Sequence, residues 1–70
     1  MTQLTKYIKK HYRRGDSARI GERLGMNQRR VWNMLTGYNK MQPEVASAFI
    51  ELVKERKQTE EKIMEEISAL

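Results

Sequence analysis

Apolar residues at the start of the chain recur every four positions. Leu4, Ile8 and Tyr12 share one face of a helix, while most positions between them carry lysine or arginine. The spacing predicts an amphipathic helix from about residue 4 to residue 13, with Thr2 as a candidate N-cap.

A second apolar pattern follows between two glycines. Gly15 can supply the left-handed residue that ends the first helix, and Asp16 suits the N-cap of a helix over residues 17–24. Gly25 is then expected to end this second helix. Its apolar side consists of Ala18, Ile20, Gly21 and Leu24.

The third pattern is short and ends at Gly37. Asn27 is a good cap for a helix over residues 28–36, whose apolar residues follow the i, i+3, i+4 rule. We therefore expect one side of this helix to face the core. The residues on that side are Val31, Met34 and Leu35.

A fourth helix is predicted to begin at Gln42-Pro43, because proline is favoured in the first helical turn. Its inner face carries Val45, Phe49, Leu52 and Val53. Polar residues at Arg56, Thr59 and Glu60 interrupt the stripe, which resumes at Ile63, Ile67 and Leu70. This divides the chain into a domain over residues 1–53 and a helical extension over residues 54–70, either a self-association element or a frayed solvated helix.

The chain is short, and its composition offers neither disulfide bonds nor a metal site to stabilise it. Its 70 residues include no cysteine and a single histidine, His11, so neither a disulfide nor a metal site is expected. A core of this size rarely supplies more than ~3–5 kcal/mol, which makes a homo-oligomer the remaining means of support. No long apolar run indicates a signal peptide or membrane span, and we expect a cytoplasmic protein.

Charge is distributed unevenly along the chain. Residues 1–40 hold ten Lys/Arg against two Asp/Glu (+8), and residues 41–70 hold four against seven (−3), which sums to the net +5. A basic front half is typical of a protein that meets a polyanion, although small proteins also carry uneven charge for no such reason.

The turn between the second and third helices has the residues that a tight, steep crossing requires. Gly21 lies four residues before Gly25 and allows the two helices to approach closely, and Gly25 can take a positive φ. Met26 is expected to pack the third helix against the second. The sequence therefore predicts a helix-turn-helix over about residues 16–37.

The third helix must then present polar side chains outward. Gln28, Arg29, Trp32 and Asn33 lie away from its apolar side, and the first two stand at its N-terminal end. Arginine pairs bidentately with guanine, and glutamine or asparagine with adenine, in the major groove. The alternative is an exposed, merely solvated face.

In these residues the chain resembles the phage repressor and Cro family, the lambda-repressor-like (XRE-type) helix-turn-helix domains. The likeness covers about residues 4–53 and rests on Gly25-Met26-Asn27-Gln28, Val31, Leu35, Gly37, Asn39, Ala46 and Ala48. It implies an all-α fold of four to five helices with a central helix-turn-helix and, here, an extended C-terminal helix. Two departures are Gly21, where the family usually has alanine, and residues 54–70 in place of a further helix.

The resemblance also implies how DNA would be contacted. Gln28, Arg29 and Asn33 would read bases. Phosphate contacts would come from Ser17 and from the segment after the third helix, with Thr36, Tyr38, Asn39 and Lys40. Independently of the resemblance, the charges of Arg13, Arg14, Arg19 and Arg30 make them candidates for phosphate contact or merely solvated residues. Dimers of that family more often pair through their fourth and fifth helices, but here the apolar spacing indicates Ile63, Ile67 and Leu70 as the dimer contact.

Several aromatic and ionisable residues have more ordinary interpretations. Trp32 either packs on the N-terminal helix, which we favour, or touches sugars and thymine methyl groups. Tyr7 and Tyr12 are expected in the core, and His11 at a helix end. No set of residues typical of catalysis, cofactor binding or small-molecule turnover occurs in the sequence.

The sequence therefore predicts a sequence-specific regulator of transcription that binds a double-stranded DNA operator. It is expected to be a homodimer, at least when bound to DNA. Two alternatives remain open. One is a protein-interaction module that docks a partner through Ile63, Ile67 and Leu70. The other is a DNA-architectural or excision factor of the same fold with weak sequence preference.

Overall fold

The computed structural model describes residues 3–70, and this part of the chain is all-helical. Helix α1 spans Gln3–His11, α2 spans Asp16–Leu24, α3 spans Gln28–Leu35 and α4 spans Pro43–Ala69. Thr2, the predicted cap of the first helix, lies outside the described residues.

One core joins all four helices. It takes Ile8 from α1, Ile20 from α2, and side chains from the inner faces of α3 and α4. Tyr7 and Tyr12 pack against it, and both rings lie near the ring of Phe49, so their predicted place in the core is confirmed. The α3 and α4 members are Val31, Met34, Leu35, Val45, Ala48, Phe49, Leu52 and Val53.

Helix α1 ends two residues earlier than the sequence predicts. The backbone amide of Tyr12 still donates to the carbonyl of Ile8, but the amide of Arg13 donates to Asp16 Oδ2 at 2.8 Å. The carboxylate thus takes the donor that would have continued the helix, and the chain turns at residues 12–15.

Asp16 is not the N-cap that the sequence suggests. It is the first residue of α2, while Gly15 occupies the N-cap position with φ of 92°. The Asp16 side chain makes no capping bond to its own helix and points instead to Arg13 and Arg56. The expected left-handed conformation of Gly15 is confirmed.

The turn between α2 and α3 is as tight as predicted. Gly25 has φ of 65°, and the amide of Met26 donates to the carbonyl of Gly21 at 2.8 Å. A Cβ on Gly21 would lie 2.7 Å from the carbonyl oxygen of Met26, closer than non-bonded atoms tolerate. A glycine is therefore required at position 21 for this crossing.

Helix α3 and the segment after it follow the sequence closely. Asn27 caps α3 through a hydrogen bond from the amide of Arg29 to its Oδ1, at 2.8 Å. The helix ends at Leu35, one residue before the predicted end, and Gly37 adopts a positive φ. Pro43 then opens α4 in its first turn, as predicted.

Helix α4 is one continuous element of 27 residues, about 40 Å long at 1.5 Å per residue. Its first part supplies the core as far as Val53, whereas every residue from 57 to 70 is exposed. The predicted extension is thus the second half of a single helix that projects beyond the packed body. None of the four helices is long and apolar enough to cross a membrane.

Candidate nucleic-acid interface

The outer face of α3 is polar and open to solvent at its N-terminal end. Val31, Met34 and Leu35 are buried, and the opposite side of the helix exposes Gln28, Arg29 and Arg30. Gln28 and Arg29 line a shallow depression together with Asn27 and Trp32. The structure therefore brings together two of the three predicted base-reading residues.

Asn33, the third of them, lies at the margin of this face. It is half-buried, and its backbone carbonyl accepts a hydrogen bond from the amide of Asn39 at 3.1 Å. This bond holds the segment after α3 against the end of the helix. The side chain of Asn33 is less accessible than those of Gln28 and Arg29.

Trp32 does not pack on α1, the interpretation favoured from the sequence. Its side chain is 42% exposed, and its ring stacks on Tyr38 with centroids 6.0 Å apart and planes inclined by 24°. Neither residue belongs to the core cluster. The stack joins α3 to the segment that follows it and forms an apolar surface beside the depression at Gln28 and Arg29.

The segment over residues 36–40 lies on the surface next to α3, with all five residues exposed. Thr36 uses its hydroxyl to donate to the carbonyl of Trp32 at 2.8 Å, so this hydroxyl already has a partner within the helix. Tyr38 is 76% exposed, and Asn39 and Lys40 extend from the same loop. The predicted phosphate-contacting residues of this segment are thus accessible.

Ser17 is a correction to the predicted phosphate contacts. It is 2% exposed, and its hydroxyl lies 2.8 Å from the hydroxyl of Tyr12, with which it shares a hydrogen bond. A phosphate cannot reach a side chain that is closed off in this way. Ser17 instead ties the end of α1 to the start of α2.

Arg13 faces α4 and is engaged there. Its Nη2 lies 2.9 Å from Glu60 Oε1 in an exposed ion pair. Arg19 lines the same cleft between α2 and α4, where Glu55 and Glu60 also lie. Arg13 is thus engaged with α4, whereas Arg19 and Arg14 are exposed, the latter on the α1–α2 turn.

The carboxylates of α4 pair with arginines of the α1–α2 region and not with those of α3. Arg23 forms an ion pair with Glu55, in addition to the pair between Arg13 and Glu60. Across residues 3–70, Arg29 and Arg30 have no carboxylate partner. The positive charge of α3 is accordingly left free for an external anion.

Arg56 and Tyr38 are two residues whose structural roles the sequence does not reveal. The sequence pattern shows Arg56 only as a break in the apolar stripe of α4, but it is a half-buried partner of Asp16. Tyr38 is predicted as a phosphate contact, not as the support for Trp32. In the sequence, the feature that indicates an aromatic surface is the position of Trp32 on the outward side of the third helix.

His11 ends α1, as predicted, and lies beside the ring of Tyr7 with centroids 4.5 Å apart. Desolvation lowers the pKa of His11 below its ordinary value of 6.5, and the positive charges of Lys57, Lys10, Arg56 and Arg13 lower it further. The imidazole is thus biased towards its neutral form.

The apolar stripe at the end of α4 is not covered by any other part of residues 3–70. Ile63 is 50% exposed, Ile67 58%, and Leu70 is fully exposed. Met64 lies beside them and is also exposed. Together they form a row of exposed large apolar side chains along one side of the helix.

Comparison of the chain with protein-family models, with curated proteins and with solved structures finds no match. Within the described residues, no group of three or more His, Asp or Glu is arranged to hold a metal ion.

Proposed function

We propose that the protein is a sequence-specific double-stranded DNA-binding regulator of transcription, of the Cro repressor type. The observation that carries this proposal is the exposed N-terminal end of α3, where the side chains of Gln28 and Arg29 lie side by side and have no hydrogen-bond or ion-pair partner among residues 3–70. A helix of about 10–12 Å diameter fits the major groove, which is about 12 Å wide. There Arg29 would pair with guanine and Gln28 with adenine.

The packing beneath α3 supports this role because base reading needs a rigid helix. Val31 is fully buried, and the turn at Gly21 and Met26 fixes the crossing with α2. The cap at Asn27 orients the first turn, which carries Gln28 and Arg29. Because the backbone beneath these side chains is already ordered, binding has to restrict the side chains alone.

Phosphate contacts are assigned to the exposed residues around α3. Arg14, Arg30 and Lys40 are cations without a carboxylate partner among residues 3–70, and Thr36, Tyr38 and Asn39 lie in the adjoining loop. Contacts of this kind set the register and affinity of binding but carry no base sequence. Ser17 is excluded from this set, and Arg13 and Arg19 lie towards α4.

We further propose that the four helices form a lambda-repressor-like domain with α2 and α3 as its helix-turn-helix. The tight turn, the α3 cap and the start of α4 at Pro43 support this assignment. Position 21 explains one departure from that family, because alanine would collide with the Met26 carbonyl here. In place of a fifth helix, α4 continues unbroken to Ala69.

The exposed stripe of Ile63, Ile67 and Leu70 would hold two copies together on an operator. A single small module buries only about 600–1,000 Å² on DNA, so a second copy strengthens binding. Two-fold dimers of such domains read half-sites about 34–36 Å apart. The proposed role places the protein in the cytoplasm of a bacterial or phage-infected cell.

Selection from a randomised duplex library, followed by sequencing, tests the proposal. We expect the full chain to recover one motif with two related half-sites, and the Gln28→Ala/Arg29→Ala variant to lose it. The control variant Gln58→Ala/Lys62→Ala likewise removes one glutamine amide and one positive charge, but from the exposed part of α4. It should leave the motif unchanged. Recovery of no motif by a folded protein would exclude specific reading.

The exposed stripe also favours a second candidate, a module that docks a protein partner through the end of α4. Salt dependence separates the two. Phosphate contacts by the three cations Arg14, Arg30 and Lys40 would give a log–log slope of binding against salt of about −2.7 per copy, from about −0.9 per contact, whereas apolar docking would vary little with salt.

A further inference from the structure

We propose that the stacked pair of Trp32 and Tyr38 reads the 5-methyl groups of thymine, next to the bases read by Gln28 and Arg29. This inference rests on the proposed function and adds a class of contact to it. The pair would make the protein sensitive to a group that forms no hydrogen bond. The ligand is thus a thymine-containing segment of the major groove.

The position of Trp32 on α3 is the first observation. It follows Gln28 by four residues and Arg29 by three, so all three side chains share one face of the helix. The structure places them, with Asn27, around one shallow depression. A helix that presents Gln28 to the bases must therefore bring the indole to the same groove.

The second observation is that the two rings support each other in solvent. Trp32 remains 42% exposed and Tyr38 76% exposed, although the rings stack 6.0 Å apart. Neither ring belongs to the core. The core therefore does not explain why two large aromatic side chains lie at this surface. Stacking on Tyr38 favours this orientation of the indole before any ligand arrives.

The chemistry of the groove explains what such a surface would recognise. Thymine is the base that presents a methyl group in the major groove, where adenine, guanine and cytosine present hydrogen-bonding groups. Gln28 and Arg29 respond to donors and acceptors and cannot detect a methyl. The aromatic face of Trp32 beside them completes the reading of A·T pairs, because it gains from covering the methyl and needs no hydrogen bond to the base.

Replacement of thymidine by deoxyuridine tests the inference, because it removes the methyl and leaves the hydrogen-bonding edge unchanged. The duplex recovered from the library selection would be synthesised with one substitution at a time. We expect the full chain to bind about fourfold more weakly for each methyl that the indole covers. Trp32→Gln should bind the thymidine and deoxyuridine duplexes equally.

Two controls separate reading from folding. Ser47→Gln places the same glutamine side chain on the exposed side of α4, outside α3 and the apolar stripe, and should keep the full sensitivity to deoxyuridine. Trp32→Phe keeps a smaller aromatic face and should keep part of the sensitivity to deoxyuridine. Binding of DNA by this variant would also show that the fold tolerates a change at position 32. Far-ultraviolet circular dichroism would confirm the helical content of each variant.

The outcomes of the two proposals are distinct. A selected motif whose affinity is indifferent to deoxyuridine at every position would overturn the inference and leave the proposed function standing. Sensitivity that persists in Trp32→Gln would also overturn it, because another residue would then cover the methyl. Failure of the library to yield any motif would remove the proposed function, and the inference with it.

Discussion

Arg56 Nη1 lies 2.6 Å from Asp16 Oδ1, in an ion pair that joins the middle of α4 to the start of α2. The other guanidinium nitrogen, Nη2, donates to the carbonyl of His11 at 2.6 Å. Asp16 is 1% exposed, and its second oxygen accepts the amide of Arg13. One buried carboxylate and one arginine thus close the corner where α1, α2 and α4 meet.

Replacement of Arg56 by methionine should strongly destabilise the fold. The stem of the side chain is preserved, but the Asp16 carboxylate is left buried without its counter-charge. Removal of one partner of a buried pair typically costs about 3–5 kcal/mol, and a core of this size supplies about as much. Thermal unfolding followed by circular dichroism should show a largely unfolded variant at room temperature.

The double variant Asp16→Asn/Arg56→Met is the control for this loss. It removes both charges together, so it should recover part of the stability. Full stability of the single Arg56→Met variant would show that the pair does not hold the corner together.

Acidification should destabilise the protein through His11. Its pKa is lowered in the folded chain, first by desolvation and then by neighbouring positive charges, so the unfolded chain binds the proton more readily. The stability is therefore complete above 6.5, the ordinary pKa of histidine, and falls as pH drops through the lower folded-state pKa. His11→Gln should lose less stability than the full chain between about pH 7.5 and about pH 5.5. Equal losses in urea titrations of the two proteins would contradict this account.

Alanine at position 21 should destabilise the protein, although glycine-to-alanine changes within helices normally stabilise by about 0.5–1 kcal/mol. The added Cβ would lie 2.7 Å from the Met26 carbonyl oxygen, which belongs to the backbone of the turn and cannot move alone. We expect a loss of roughly 1–3 kcal/mol, as for other overpacked sites. Ser47→Ala, on the exposed side of α4, is the matched control and should change little. A higher melting temperature for Gly21→Ala would mean that the turn is looser than described.

Removal of the apolar stripe should abolish pairing without harm to the fold. The three changes Ile63→Gln, Ile67→Gln and Leu70→Gln fall on exposed side chains outside the core. On a duplex with two half-sites, sedimentation should show two copies of the full chain bound cooperatively and independent binding by the triple variant. Glu61→Gln/Glu65→Gln alters the opposite side of the helix and should behave as the full chain. Cooperative binding by the triple variant would exclude this stripe as the contact.

The sequence predicts the four helices and their inner faces well, because each depends on residues a few positions apart. The cap at Asn27, the turn at Gly25 and the burial of Val31 all follow from such local patterns. The orientation of Gln28 and Arg29 follows from them in turn, since a helix that buries one side exposes the other.

Features that join distant residues escape this kind of prediction. Aspartate is a residue type favoured at helix N-caps, so the sequence places Asp16 there. Its partner Arg56 lies 40 positions away in the sequence and draws the carboxylate towards α4. Ser17 likewise looks exposed until Tyr12 is brought against it. Trp32 could be placed on α1 or in solvent from the pattern alone, and only the position of Tyr38 decides the question.

Nuclear magnetic resonance titration of the ¹⁵N-labelled protein with a short duplex of mixed sequence tests the central claim most directly. It locates the DNA-binding surface without knowledge of the operator. On a duplex too short to hold two copies, we predict that the amide signals of residues 27–33 and 36–40, with the side-chain signals of Gln28 and Arg29, shift most. The signals of residues 57–70, which would respond to pairing of two copies, should stay in place. Shifts confined to residues 57–70, or no shifts at low salt, would contradict the assignment of α3 as the DNA-reading helix.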